Sequence, residues 1–184
     1  MKQVFDIRKE EKSATLAAVL GDQAIFKYGS FDGTPKLSVW DPIECCFYKP
    51  RKNMTDFASF SMLPVLLSNR VQSDIISRAL LVKSCELLPL SMPTMAPIMI
   101  HSTKVVDCVD EASSRIKCLS DDVWVFSQDR LPPCGQICRL GQFRTAVTII
   151  VSDSNLPPEE DFYQWYHKQG YTGLRFKLLW QSDT

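Results

Sequence analysis

The stretch GYTGLRFKLLW, residues 170–180, predicts the end of a helix followed by a strand. Gly170 stands where a helix commonly ends in a left-handed residue, and Gly173 then turns the chain. The following residues alternate in polarity, which is typical of a strand with Leu174, Phe176 and Leu178 facing a core and Arg175 and Lys177 facing away. A phosphate-binding loop precedes its helix, whereas these glycines follow one, so we interpret the stretch as scaffold.

Residues 147–180 as a whole predict a strand–helix–strand unit. The run VTIIVS at 147–152 is β-branched, and the following SDSN supplies capping residues. Pro157 and Pro158 suit a first helical turn, where a missing N–H group is harmless. Three aromatic residues then follow at the i, i+3, i+4 spacing of a buried helix face: Phe162, Trp165 and Tyr166.

Residues 64–90 predict a second unit of the same order. Val65–Leu67 reads as a buried strand, and Ser68 or Asn69 stands where an N-cap belongs. The apolar face of the helix is expected at Val71, Ile75, Ile76 and Ala79, with Asp74 and Ser77 on the polar side. Strands outnumber helices along the chain, so the expected class is α+β with a mixed β-sheet. We expect a single domain, 1–184, or two small lobes that meet near 91–97.

The composition excludes several classes of protein. The 184 residues are 45% hydrophobic and 23% charged, with a formal net charge of zero. A nucleic-acid partner is not expected, because such proteins usually carry a basic excess, and the small cluster KPRK at 49–52 reads as a solvated loop. No window approaches the roughly 20 apolar residues of a membrane span, and no secretory signal is visible. The chain is expected to be cytoplasmic.

The seven cysteines are expected to be reduced thiols. Only Cys134 and Cys138 are spaced like a ligand pair, whereas a structural zinc site needs four ligands. The other candidate ligands are scattered: Cys85, Cys108, Cys118, His101 and His167. His167 is expected to complement a helix dipole, and His101 to lie on a strand with one face in water. We therefore expect no metal and no cofactor.

The clearest cluster of functional groups is acidic. Asp107, Asp110 and Glu111 lie close together, and Asp121–Asp122 follow soon after. Such acids could bind a divalent cation or catalyse proton transfer. They could equally form turns, where aspartate is favoured for its local hydrogen bonds, or a solvent-facing acidic patch. No catalytic sequence motif accompanies them.

Four segments carry a resemblance to a known family: VWDP (39–42), LPVLLSNRV…ELLPL (63–90), TKVVDCVDEASS (103–114) and IIVSD…HKQGYTGLRFKLLW (149–180). Together they resemble a family of bacterial immunity proteins, which are encoded beside polymorphic toxins. The resemblance extends from Trp40 to Trp180 and includes Asp107, Asp110 and Ser113. The cap region SNLPPEED is longer and richer in proline than the family pattern.

The resemblance implies an interaction function. A chain of this family would bind and neutralise a cognate toxin protein encoded by a neighbouring gene, without catalysis. The partner-binding residues are then expected at Asp107, Asp110 and Glu111, with the loop Tyr28–Lys36 as a second candidate. An acidic patch suits a basic toxin such as a nuclease. The alternative hypothesis is a small hydrolytic enzyme that uses the clustered carboxylates or a cysteine thiolate.

Overall fold

The computed structural model describes residues 1–21, 23–29, 31–48, 54–114, 123–141 and 147–182. Strands and helices both occur, and the sheets contain parallel and antiparallel pairs, so the predicted α+β class is confirmed. The strands are β1 (Lys2–Lys9), β2 (Thr15–Ala18), β3 (Ile43–Phe47), β4 (Phe57–Phe60), β5 (Leu63–Leu66), β6 (Cys85–Ser91), β7 (Ile98–Ser102), β8 (Val105–Val106), β9 (Ile137–Leu140), β10 (Thr148–Asp153) and β11 (Leu174–Gln181). The helices are α1 (Gln23–Phe26), α2 (Asn69–Ser73), α3 (Ile75–Leu81) and α4 (Phe162–Gln169).

The strands form two sheets. One is an open five-stranded sheet in the order β11-β1-β10-β9-β8, and the other closes into a six-stranded barrel in the order β2-β3-β6-β7-β5-β4. The barrel closes through parallel pairs, β2 with β4 and β3 with β6. In the barrel, β7 lies between β5 and β6 and is antiparallel to both, so β5 and β6 run in the same direction. In the open sheet, β1 lies between β10 and β11 in the same way.

The described residues form three apolar clusters. The first fills the barrel and includes Ile25 of α1, and the second lies between the barrel and the open sheet, where α2, α3 and α4 pack. The third lies on the other face of the open sheet, beneath the segment that follows β8. Because side chains alternate along a strand, β1 serves two clusters, with Phe5 and Ile7 in the second and Val4 in the third.

The C-terminal helix, α4, has the predicted buried face. Phe162, Trp165 and Tyr166 are all buried, and Gly170 ends the helix in the left-handed region at φ 63°. The helix begins later than the prolines suggest, because Pro158–Glu160 form a separate 3-10 turn. Asp161 is the N-cap and accepts a hydrogen bond from the backbone N–H of Gln164.

Strand β11 keeps the predicted alternation only in its first half. Leu174 is buried, but the pairing with β1 shifts register between Val4 and Phe5. Leu178 is 48% exposed although it pairs with buried Phe5, and beyond the shift both Leu179 and Trp180 pack on the third cluster. Gly173 does more than turn the chain, because a side chain there would collide with the backbone carbonyl of Phe57.

The predicted apolar face of the 64–90 helix is correct at Val71 and partly at Ile76, but wrong at Ile75 and Ala79. Ser68 caps α2 as expected, but the chain leaves the helical conformation at Asp74 and restarts as α3. This break changes the phase of the helix, so Ile75 is 81% exposed while Ser77 is fully buried. A single 3.6-residue period cannot describe a helix interrupted in this way.

In the described part of residues 97–131, β7 and β8 form, a turn occupies 111–113, and Val109 and Phe126 form an isolated bridge. The cluster at 49–52, Cys118 and Asp121–Asp122 lie outside the described residues. No helix in the described ranges is long and apolar enough to cross a membrane.

Candidate functional site

The acidic turn, residues 107–114, is held in place by the segment 123–131 that lies beside it. The backbone N–H of Asp110 donates to the carbonyl of Val125 at 2.8 Å, and that of Ser127 donates to the carbonyl of Cys108 at 2.9 Å. Beneath these bonds, Cys108, Val109 and Phe126 are buried in the third cluster. The turn is thus attached to the open sheet by both hydrogen bonds and apolar contacts.

Asp110 forms the turn itself. Its carboxylate accepts hydrogen bonds from the hydroxyl of Ser113 at 2.7 Å and from the backbone N–H groups of Ala112 and Ser113 at 3.1 and 3.3 Å. The hydroxyl of Ser113, followed by its backbone N–H, holds the pKa of Asp110 below its usual value. These local bonds are the ones for which aspartate is favoured in turns. Asp110 therefore positions its neighbours.

Asp107 and Glu111 are the exposed acids of the turn. The side chain of Asp107 is 68% exposed, and its Oδ1 lies 3.7 Å from Nη1 of Arg130. Arg130 also donates to the hydroxyl of Ser127 at 2.7 Å, and this bond within the supporting segment restrains the arginine side chain. Glu111 is exposed within the turn. The two carboxylates are accessible to a partner, and one of them is oriented by an arginine.

The predicted alternative chemistry needs converging ligands or an activated thiol. Among the described residues, no group of three or more histidine, cysteine or acidic side chains is arranged to hold a metal ion. Burial raises the pKa of the Cys45 and Cys108 thiols to about 11 and those of Cys85 and Cys138 to about 12. These four thiols are protonated at neutral pH, and a thiol is a much weaker nucleophile than a thiolate.

The second candidate, the loop Tyr28–Lys36, reaches the same region. The Glu86 carboxylate accepts the backbone N–H groups of Lys36 and Leu37 at 2.6 and 3.1 Å. Gly33 lies so close to Val105 that a side chain there would collide with it. The loop therefore lies beside β8, the strand that leads into the acidic turn.

His101 anchors this loop, and the expectation that its strand has one face in water is wrong, because both faces of β7 are buried. The residue is 1% exposed, with Nε2 lying 3.0 Å from the carbonyl oxygen of Thr34 and the ring packed edge-on against Phe31. Burial lowers its pKa, so the ring is neutral at pH 7. His167 is exposed at the end of α4, where its ring contacts Tyr163 and Phe176. Burial lowers the pKa of His167 also.

The sequence did not reveal two carboxylates that connect distant elements. Asp74 accepts hydrogen bonds from Trp165 Nε1 and the Tyr171 hydroxyl, both at 2.6 Å, and from the Ser77 hydroxyl at 2.9 Å. Burial works to raise the pKa of Asp74, but these bonds outweigh it and the pKa is lowered. Burial, followed by the hydrogen bond to Asp74, raises the pKa of Tyr171 to about 12, so the hydroxyl remains a donor. Asp74 joins α3 to α4 and its C-terminal loop.

Asp56 is the second internal carboxylate. It is 8% exposed and accepts hydrogen bonds from the Ser68 hydroxyl at 2.7 Å and from the backbone N–H and hydroxyl of Thr172 at 3.1 and 3.2 Å. Arg70 lies 3.7 Å from it. Asp74 stands just before an apolar helix, and this position predicts a helix cap from the local sequence. The bond between Asp56 and Thr172 spans 116 residues, so no local sequence pattern predicts it.

No protein-family model matches the chain, and no curated protein matches it at a significant level. Function is therefore inferred from the side chains themselves. The internal acids Asp56 and Asp74 bind other parts of the same chain. The acidic turn is the candidate for binding a partner, because Asp107 and Glu111 are exposed on a supported frame.

Proposed function

We propose that this chain is an immunity protein that binds and neutralises a cognate toxin protein. The resemblance of residues 40–180 to that family supports the proposal, and so does the exposure of Asp107 and Glu111 on the acidic turn. The observation that carries it is the exposed carboxylate of Asp107, 3.7 Å from Arg130, on a turn whose inner residues are buried. A supported turn loses little conformational freedom on binding, which favours affinity.

The proposed partner presents a basic surface to the acidic turn. Complementary charge accelerates association and selects the partner, and exposed acids such as Asp107 and Glu111 act chiefly in this way. A nuclease toxin would have such a surface, because it must bind phosphate groups. In this proposal the immunity protein acts in the cytoplasm, and its function requires neither nucleic acid nor a membrane as its own partner.

Co-expression tests the proposal. The chain should be expressed together with the toxin domain encoded beside its gene, and survival and complex formation should be measured. We expect protected cells and a complex with Kd near or below about 1 nM, because any unbound enzyme toxin continues to turn over. Cell death despite folded protein, with no complex formed by any neighbouring gene product, would reject the immunity function and favour the hydrolytic alternative.

We also propose that 64–90 and 147–180 are equivalent strand–helix–strand units that support the binding surface. In each case the chain passes from one strand through helix to a second, parallel strand, with a third strand between the two. Hydrogen exchange tests this equivalence, because each unit should open cooperatively as one segment. Independent exchange of β5 and α3 would reject it for the first unit, and independent exchange of β10 and α4 would reject it for the second.

A further inference from the structure

The free edge of the open sheet is a second surface with the opposite charge. Strand β11 is eight residues long, and β1 is its sole strand neighbour among the described residues. Such an edge leaves a row of backbone N–H and C=O groups available to pair with another strand. At the other edge of this sheet, β8 has two residues, so β11 offers much the longer pairing surface.

The direction of the backbone groups along β11 follows from its ends. The carbonyl of Gly173 accepts the N–H of Glu10, so Gly173 faces β1. The N–H and C=O of Leu174 both bond to the Tyr166 hydroxyl, on the side away from β1. Because backbone groups of an antiparallel strand alternate in direction, those of Phe176 and Leu178 point to the free edge before the register shift.

Cationic side chains lie along this edge. Arg175 is paired directly with Arg8, and Lys177 is paired with Asp6. Arg8 is half-exposed and donates from Nε to the buried Asp6 carboxylate at 2.5 Å. Like charges directly opposite each other on a sheet are unfavourable. Asp6 balances the charge of Arg8 in part, and an anionic group placed beside Arg175 would reduce the remaining repulsion.

An exposed methionine stands near the start of β11. The turn joining β4 to β5 consists of Ser61 and Met62, both with positive φ, at 48° and 70°. Asparagine and glycine adopt this turn easily, whereas methionine adopts it at a cost. Met62 is 92% exposed, and it lines one shallow depression together with Arg8 and with Leu174, the first residue of β11. The turn thus holds an apolar side chain in solvent at the end of the sheet where β11 begins.

We propose that β11 binds an acidic, extended segment of a partner protein as an added strand. The backbone groups of Phe176 and Leu178 would pair with the segment, its carboxylates would lie near Arg8, Arg175 and Lys177, and Met62 would contact its apolar residues. Addition of a strand to a sheet edge is a general mode of peptide recognition. This site goes beyond the proposed immunity function, since it uses another surface and does not depend on the identity of a toxin.

A peptide titration tests the site without any toxin. The probe is a capped seven-residue peptide that alternates glutamate with valine, and the controls are the same peptide with lysine for glutamate and a single-stranded DNA oligomer. We expect the glutamate peptide to bind with Kd below about 1 mM and to slow hydrogen exchange at the amides of Phe176 and Leu178. The lysine peptide and the DNA should bind at least about tenfold more weakly.

Variants keep the test decisive. R175E combined with K177E should weaken binding of the glutamate peptide by about tenfold or more, and M62G should weaken it by a smaller factor while relaxing the turn. The proposal is overturned if the glutamate peptide fails to bind at about 1 mM, leaves both amides unprotected, or binds no better than the lysine peptide or the DNA. None of these results would bear on complex formation with a toxin, which is measured separately by co-expression.

Discussion

The acids inside the molecule and those of the acidic turn differ in what their oxygens already bind. Asp56 and Asp74 each accept at least three hydrogen bonds within the molecule, and both are bonded to the C-terminal segment, Asp56 through Thr172 and Asp74 through Trp165 and Tyr171. Asp107 has one ion pair and remains largely exposed. The first group should therefore determine stability, and the second should determine interactions with other molecules.

Removal of the Asp74 carboxylate should have the largest effect on stability. D74A leaves the donors of Trp165, Tyr171 and Ser77 without an acceptor and removes the cap of α3, so the free energy of unfolding should fall by about 3–4 kcal/mol. Denaturant unfolding measures this change. The matched control is W165F, which keeps an aromatic ring but removes one donor, with an expected loss of about 1–2 kcal/mol. A loss below about 1 kcal/mol in D74A would mean that the network is not stabilising.

Asp56 should come next. D56A removes the acceptor of the Ser68 hydroxyl and of the two donors of Thr172, so the free energy of unfolding should fall by about 2–3 kcal/mol. D56N retains one acceptor oxygen and should lose roughly half as much. Equal losses for D56N and D56A in denaturant melts would contradict this expectation. They would mean that the negative charge of Asp56, and not the position of an acceptor oxygen, stabilises the fold.

The pH dependence should distinguish Asp74 from the buried Asp6. The pKa of Asp74 is lowered in the fold, so its stabilisation is complete above the usual value of 3.8 and is lost as pH falls through the folded pKa. The pKa of Asp6 is raised by burial, although Arg8 opposes this, so stability falls as pH rises from 3.8 through its folded pKa.

Chemical denaturation at pH 3 and pH 7 tests these opposite signs. D74N should be more destabilising at pH 7 than at pH 3, because only the ionised carboxylate forms the strong bonds. For D6N, the free energy of unfolding relative to the wild type should be higher at pH 7 than at pH 3, because the substitution removes a buried charge. The same sign of pH dependence in both variants would contradict the lowered pKa of Asp74 or the raised pKa of Asp6.

The exposed acids should have the smallest effect on stability. D107N and E111Q should each change the free energy of unfolding by less than about 0.5 kcal/mol, as is usual for surface positions. The measurement is again denaturant unfolding, with D74A as the reference for a structural acid. A loss above about 1 kcal/mol in D107N would make its pair with Arg130 a structural contact and weaken its assignment to partner binding.

Local sequence signals predicted the parts of the fold that are local in cause. The face formed by Phe162, Trp165 and Tyr166, and the glycine that ends their helix, depend on spacing within two turns. The face expected in the 64–90 unit holds at Val71 and fails at Ile75, because the helix is interrupted at Asp74, whose carboxylate binds residues some 90 positions away. Apolar periodicity contains no information about such a partner.

The closure of the barrel and the approach of Gly173 to Phe57 are likewise set by pairings between distant segments. The turn at Asp110–Ser114 was predictable, because aspartate and serine bond to nearby backbone. The support of that turn by 123–131, and the contact of Asp107 with Arg130, appear only in three dimensions. The role of the turn in partner binding stays a prediction.

The most direct test of the proposed function is the affinity for the toxin after charge reversal in the acidic turn. D107K combined with E111K should be compared with E159K combined with E160K, which makes the same charge change at exposed acids before α4. Asp110 is left intact because its carboxylate forms the turn. Both double variants should first be shown to fold. We expect the turn variant to raise Kd by about 100-fold or more, chiefly through slower association at low salt, and the control variant to change Kd by less than about threefold. Equal affinities for the wild type and the turn variant would contradict the assignment of the acidic turn as the toxin-binding surface.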